Sequence, residues 1–258
     1  MEVEKVSEMV IYERHEQGFG IIRLNRPEKH NAISPAMIDL LKEYIQTAKE
    51  DRIKFLVITG TGDKTFCAGG DLNELHGDLS QDEAFALLYP MKEVLYELAS
   101  FPLPTICLLN GNAFGGGCEL ATACDFRYAK ENTEHGFIQS TLGILPGWGG
   151  GTLLYEKVGS NFAYHWLTEG RKYDTERLRN HGWLQKVIPV DEWDNWNVTF
   201  GSFIDKSEKQ LKLLKEQYLK RIPILSLSAE MNAEVRTASM LWGTLEHKEA
   251  VHTFLKKE

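Results

Sequence analysis

The sequence predicts an α/β fold: a layered sheet built from βα units, extended by a helical C-terminal third. Three observations carry that expectation. The apolar runs 55–59 and 105–109 are continuous rather than alternating, as in strands covered on both faces. Stretches with apolar residues at helical spacing lie between such runs, so strands and helices alternate and right-handed crossovers follow. After residue 150 the pattern becomes mostly helical.

Residues 20–24 (GIIRL) read as a strand, followed by a polar turn from Asn25 to Asn31. Ser34 is placed to cap a helix that has Pro35 at its first position. Ile38, Leu41, Ile45 and Ala48 recur at helical spacing and extend that helix over 35–50. Strand 55–59 ends in the loop Gly60-Thr61-Gly62-Asp63. A helix over 83–100, a strand over 105–109, a helix over 116–124 and a strand over 126–129 follow. Beyond 150, helices are expected over 152–168, 174–181, 205–220 and 228–256, the last broken near Gly243, with a strand at 184–188. Large apolar residues of this third, among them Trp166, Trp196, Phe200 and Trp242, pack either on the core or on another subunit.

Composition narrows the function. At 258 residues, 43% hydrophobic and 26% charged, the chain suits one large soluble domain or a domain with an appendage. No apolar run approaches the roughly 20 residues of a membrane span, and the acidic start MEVEKVSEMV lacks the apolar core of a secretion signal. Cys67, Cys107, Cys118 and Cys124 sit in apolar stretches without metal-ligand spacing, which suggests buried or loop thiols in a reducing cytoplasm. A net charge of −8 argues against nucleic-acid binding and requires local basic groups for any anionic ligand.

Two glycine turns carry the chemistry. In GNAFGGGCEL (111–120) glycines open a predicted helix, whose first N–H groups have no partner inside it and sit at the positive end of its dipole. Glu119, three positions after Gly116, lies about one turn on and can face the same pocket. No Gly-Lys-Ser/Thr follows, so this is not a nucleotide-binding loop; it is either an oxyanion site or a tight turn whose glutamate offsets the dipole. The turn TFCAGGDL (65–72) also follows a predicted strand. Two such turns can each aim one N–H at the same carbonyl oxygen, making a two-donor oxyanion hole.

LNRPEKHNAIS, TFCAGGDLNEL, GNAFGGGCELATACDFRYA and LGILPGWGGGTLL occur in the order and spacing of the crotonase (enoyl-CoA hydratase/isomerase) superfamily, which residues 10–190 resemble. The resemblance implies a crotonase (ClpP-like) spiral of ββα units over 1–190 and a helical trimerisation region over 191–258, assembled as a homotrimer or homohexamer. It implies an acyl-CoA substrate, with coenzyme A entering as part of that substrate and no prosthetic group, metal, nucleic acid or membrane involved. Gly70 and Gly116 take the positions of the two oxyanion donors, and Ala68, Gly69 and Gly70 with Lys29 and His30 those along the adenine and pantetheine. Arg26 and Lys29 either meet the phosphates or are solvated turn residues. Phe254, Lys256 and Lys257 are either CoA contacts or an exposed basic helix end.

The resemblance places Glu119 as the first of two hydratase glutamates, but the second position holds Gln139. Glutamine hydrogen-bonds yet cannot exchange a proton. Ser140 and Thr141 are poor substitutes, and His135 reads as a surface-loop residue. A hydratase/isomerase-type enzyme remains the first expectation. The second is decarboxylation of a methylmalonyl- or ethylmalonyl-type thioester, since TACDFRYA and GILPGWGG, with Trp148, resemble that branch. Trp148 then either lines the acyl pocket or packs beside the glycines. A catalytically silent CoA-thioester-binding protein is the reading from a different class.

Overall fold

The computed structural model describes residues 8–75, 79–222 and 224–255. β1 (Val10–Arg14) and β2 (Gly20–Leu24) pair antiparallel. Ser34 caps α1 (Pro35–Glu50) through Oγ, which accepts from Met37 N, and Met37, Ile38, Leu41, Ile45 and Ala48 form its buried stripe. β3 (Leu56–Gly60) and β4 (Thr65–Cys67) lead to α2 (Leu72–Leu75) and α3 (Gln81–Ala99), the latter started by a Ser80–Glu83 capping box. Next come β5 (Thr105–Leu109), β6 (Asn112–Phe114), α4 (Gly116–Ala123), β7 (Phe126–Lys130) and β8 (Glu134–Gly136). Then follow α5 (Gly150–Lys157), α6 (Ser160–Glu169), β9 (Tyr173–Asp174), α7 (Thr175–Asn180) and β10 (Lys186–Ile188). The chain closes with α8 (Trp196–Ile204), α9 (Glu208–Leu219), α10 (Ile224–Leu241) and α11 (Leu245–Leu255).

Among the described residues the strands form a six-stranded sheet, β1-β2-β3-β5-β7-β10, and a four-stranded one, β4-β6-β8-β9. Successive pairs β3/β4, β5/β6 and β7/β8 give their first strand to the large sheet and their second to the small one. The chain thus advances by one spiral step per unit, as the resemblance implies. Within the large sheet every pairing beyond β1-β2 is parallel, and the continuous apolar runs follow from burial on both faces. α1 and α3–α5 cover one face through one large core. On the other face Phe19, Phe55, Tyr128 and Phe200 make a second core, with Trp196 and Phe203 packed against it.

The sequence expectation needs correction at several points. The helix expected over 152–168 is two helices, parted between Lys157 and Ser160. α8 was not foreseen, because Trp193, Trp196, Phe200 and Phe203 crowd a short segment without a clean polar face. His135 lies in β8 rather than in a surface loop. It is fully buried, its Nε2 is 3.1 Å from Thr133 Oγ1, and burial pushes its pKa down to about 3, so it is neutral. Trp166, Phe200 and Trp242 pack into the core of this chain. Lys256 and Lys257 lie outside the described residues, as does the side chain of Phe254.

A charge cluster ties α9 to the sheet. Lys215 Nζ lies 2.6 Å from Asp125 Oδ2 and Lys157 Nζ 3.8 Å from Oδ1, with all three side chains nearly buried. Burial pushes Lys157 down to about 8. Asp125→Ala leaves two buried ammonium groups without their carboxylate, and the expected loss is about 3–5 kcal/mol of stability. Chemical denaturation measures it, and a loss under about 1 kcal/mol would show that solvent reaches the cluster.

Candidate active site

α4 begins where β6 ends, and its first residues must pass very close to the β4 turn. A Cβ on Gly117 would fall 2.2 Å from the carbonyl oxygen of Cys67, so only glycine lets the two segments meet. Gly69 sits at φ +106°, and a Cβ there would lie 3.3 Å from the Gly116 nitrogen. The two glycine turns are therefore in contact. Gly69 C=O accepts from Ile33 N (2.8 Å) and Asp71 N donates to Ile33 O (2.9 Å). In extended backbone the residue between such a pair points its N–H the opposite way, so that of Gly70 is turned away from Ile33. Gly116 is the first residue of α4, and its N–H has no acceptor within the helix. Both glycines line one cavity of about 90 Å³.

Leu88, Leu142, Ile144, Leu145, Trp148 and Trp242 give that cavity apolar walls. Among the described residues lining it, Glu119 is the only carboxylate. Both of its oxygens are engaged. Oε1 accepts from Gln139 Nε2 (2.9 Å) and Gly147 N (3.3 Å), Oε2 from Trp148 N and Gly150 N (both 2.9 Å). A Cβ on Gly150 would sit 2.3 Å from the Glu119 Cβ, which is why glycine stands there. Burial, with the neighbouring Glu234 carboxylate adding to it, pushes Glu119 up to about 8; the backbone N–H groups pull the other way.

Gln139 donates to Glu119, and its Oε1 has no protein partner although the residue is 6% exposed. The amide can present either end: Nε2 donates to an ionised Glu119, and turned over, the otherwise unpartnered Oε1 accepts the O–H of a protonated one. Trp148 lines the cavity and packs so tightly on the start of α4 that a Cβ on Gly116 would lie 2.1 Å from its ring.

The expected CoA-binding residues divide. Ala68 N donates to His30 O (3.1 Å), placing the 26–31 turn beside the 68–70 turn. Lys29 and His30 are exposed at that rim, and Ala68 and Gly69 line the cavity. Arg26 is not a solvated turn residue: its guanidinium lies 2.8 Å from Asp71 and 3.4 Å from Glu74, and it also donates to Ala32 O. Glu234 on α10, which sequence reasoning missed, approaches the same helix terminus as Glu119. It lies more than a hundred residues away in the chain, with no local motif to announce it.

Two backbone turns carrying Gly70 and Gly116 meet beside one buried carboxylate at a single cavity, on a spiral of ββα units. The chain belongs to the enoyl-CoA hydratase/isomerase family, which it matches over residues 14–258. It is 31% identical to ethylmalonyl-CoA decarboxylase of Bos taurus over 247 residues, covering 93% of this chain and 79% of that one. To 2,3-dehydroadipyl-CoA hydratase of Escherichia coli (strain K12) it is 30% identical, over 98% of this chain and 97% of the other. Its fold superposes on a crystal structure of an enoyl-CoA hydratase from Bacillus halodurans with a TM-score of 0.86 at 22% identity, covering 95% and 100% of the two chains.

Proposed function

We propose that this protein decarboxylates a short malonyl-type CoA thioester. The observation that carries the reading is the pairing of Glu119 with Gln139 in an apolar cavity that has no second carboxylate among its described lining residues. In such a reaction the thioester oxygen sits between the Gly70 and Gly116 N–H groups. The bond from the α-carbon to the carboxylate breaks, its electron pair forms the enolate, and CO₂ leaves. Glu119, protonated, returns one proton to the α-carbon. Negative charge moves from the carboxylate to the oxygen facing the N–H pair. Apolar walls therefore favour the transition state over the ground state. The similarity to ethylmalonyl-CoA decarboxylases supports a short acyl group.

The family's hydratases support a second reading, hydration or double-bond isomerisation, and the similarity to the dehydroadipyl-CoA hydratase favours it. Hydration needs a water held between an acid and a base, and here one of those positions is an amide. Incubation with methylmalonyl-, ethylmalonyl-, crotonyl- and 3-enoyl-CoA, followed by product mass, separates the readings. Loss of CO₂ from the malonyl thioesters supports decarboxylation; water gain on crotonyl-CoA overturns it. Binding without turnover of any of the four identifies a silent thioester-binding protein.

Gln139→Glu restores the second carboxylate. It is expected to raise hydration of crotonyl-CoA by about 10²-fold or more, the scale of one acid–base group. An unchanged rate would show that cavity shape, and not the missing carboxylate, excludes hydration.

The reading includes cytoplasmic placement, supported by four cysteines that are all free and buried. It also includes assembly as a homotrimer or homohexamer, supported by the exposed Leu145, Tyr164, Met240 and Leu245, and light scattering tests it. Coenzyme A takes part only as the handle of the substrate.

A further inference from the structure

Two carboxylates, not one, meet the start of α5. Glu119 takes the N–H groups of Gly147, Trp148 and Gly150. Glu234, reaching over from α10, takes those of Gly151 (3.1 Å) and Thr152 (2.5 Å) and the Thr152 hydroxyl (2.7 Å). The run Gly149-Gly150-Gly151 makes room for this: a Cβ on Gly150 would strike Glu119, and one on Gly151 would come within 3.1 Å of Glu234 Oε2. Adjacent residues of one helical turn thus serve two acids on opposite sides. We propose that Glu234 is a positioning residue for Glu119: the two carboxylates share the first turn of α5, and the charge on Glu234 keeps a proton on Glu119, leaving Glu119 the acid that protonates the enolate.

The surroundings favour one proton over none. A helix terminus carries about half a positive charge, enough for one carboxylate but not for two. No Lys, Arg or His is among the described residues lining the cavity around Glu119 or the larger cavity beside Glu234. The titratable groups facing the pair are Cys118 on α4, Tyr155 on α5, Tyr164 on α6 and Glu230 on α10, and each of these adds negative charge or none. Burial pushes Glu119 up to about 8 and raises Glu234 as well. The proposal rests on the decarboxylase reading only for the use of the proton. In that use the Glu119 O–H bond breaks, the α-carbon gains the hydrogen, and solvent reprotonates the pair.

Difference infrared spectroscopy of the full-length protein over a pH series tests the pairing without substrate. The expected result is a protonated-carboxyl band at neutral pH that disappears in Glu119→Gln. In Glu234→Gln the band should titrate about one pH unit or more lower, the scale of a neighbouring like charge. Glu234→Asp should restore part of that shift. Thr152→Val takes a donor from Glu234, so it should move the band to higher pH, the opposite direction, and it remains informative if Glu234→Gln folds poorly. The pH profile of kcat should follow each shift while KM stays unchanged. A wild-type protein with no such band at neutral pH, or a band unmoved by both Glu234→Gln and Thr152→Val, overturns the proposal. If the band moves as expected but no malonyl thioester is turned over, the pairing stands and the decarboxylase reading fails.

Discussion

Glu119→Gln is expected to lower turnover by about 10²–10⁴-fold, the scale of one positioned acid–base group, while acyl-CoA binding persists. Two consequences follow from the same geometry. The amide has no proton to give an enolate, so the chemical step fails. It also turns one oxygen into an NH₂ group where four N–H donors converge on the carboxylate. At least one buried donor then faces another donor, at about 1–3 kcal/mol. Binding should survive because the candidate CoA contacts, Lys29, His30 and Ala68, lie on the separate 26–31 and 68–70 turns. Steady-state kinetics, calorimetric titration with a non-reactive acyl-CoA and chemical denaturation separate the three effects. Full turnover in this variant would remove Glu119 from proton transfer. Lost turnover together with lost binding would mean that the helix terminus itself had shifted.

Much of this site was legible in the sequence because its parts are local. Gly116 and Glu119 are one helical turn apart, and a glycine turn after an apolar strand is a short-range signal. The long helix over 35–50 and the buried strands were legible for the same reason: strong periodicity, a serine cap and proline at the first position. The small sheet was not foreseen. Its strands β4, β6, β8 and β9 are two or three residues long, too short for alternation to show. His135 was misplaced for that reason, since a polar residue in a three-residue strand looks like a loop. Arg26 was misjudged because its partners, Asp71 and Glu74, come from a turn more than forty residues on. Glu234 and the covering of Gly116 by Trp148 are contacts between distant segments, which only the folded chain brings together.

That last contact yields the other large expectation. Gly116→Ala leaves the backbone N–H chemically intact, so any loss of activity must come from position. A methyl group at 116 would lie 2.1 Å from Trp148 Cζ3 and 2.4 Å from Cη2, deep inside van der Waals contact. Either the indole retreats and drags the Trp148 backbone, whose N–H is bonded to Glu119 Oε2, or the start of α4 retreats and carries the oxyanion donor with it. Both responses act on the transition state more than on thioester binding. The expected result is a fall in kcat of about 10²–10³-fold, as for loss of one oxyanion donor, with a smaller change in KM. Trp148→Ala identifies the cause. Alone it leaves a void, expected to lower stability by about 3–5 kcal/mol, so the comparison belongs at low temperature. In that background the added methyl at 116 meets open space. The double-mutant cycle should then show a favourable coupling of about 1–3 kcal/mol between the two substitutions. If Gly116→Ala costs the same with and without Trp148, the collision is not what disables the site. If it costs nothing in either, the start of α4 accommodates the methyl group without moving its N–H.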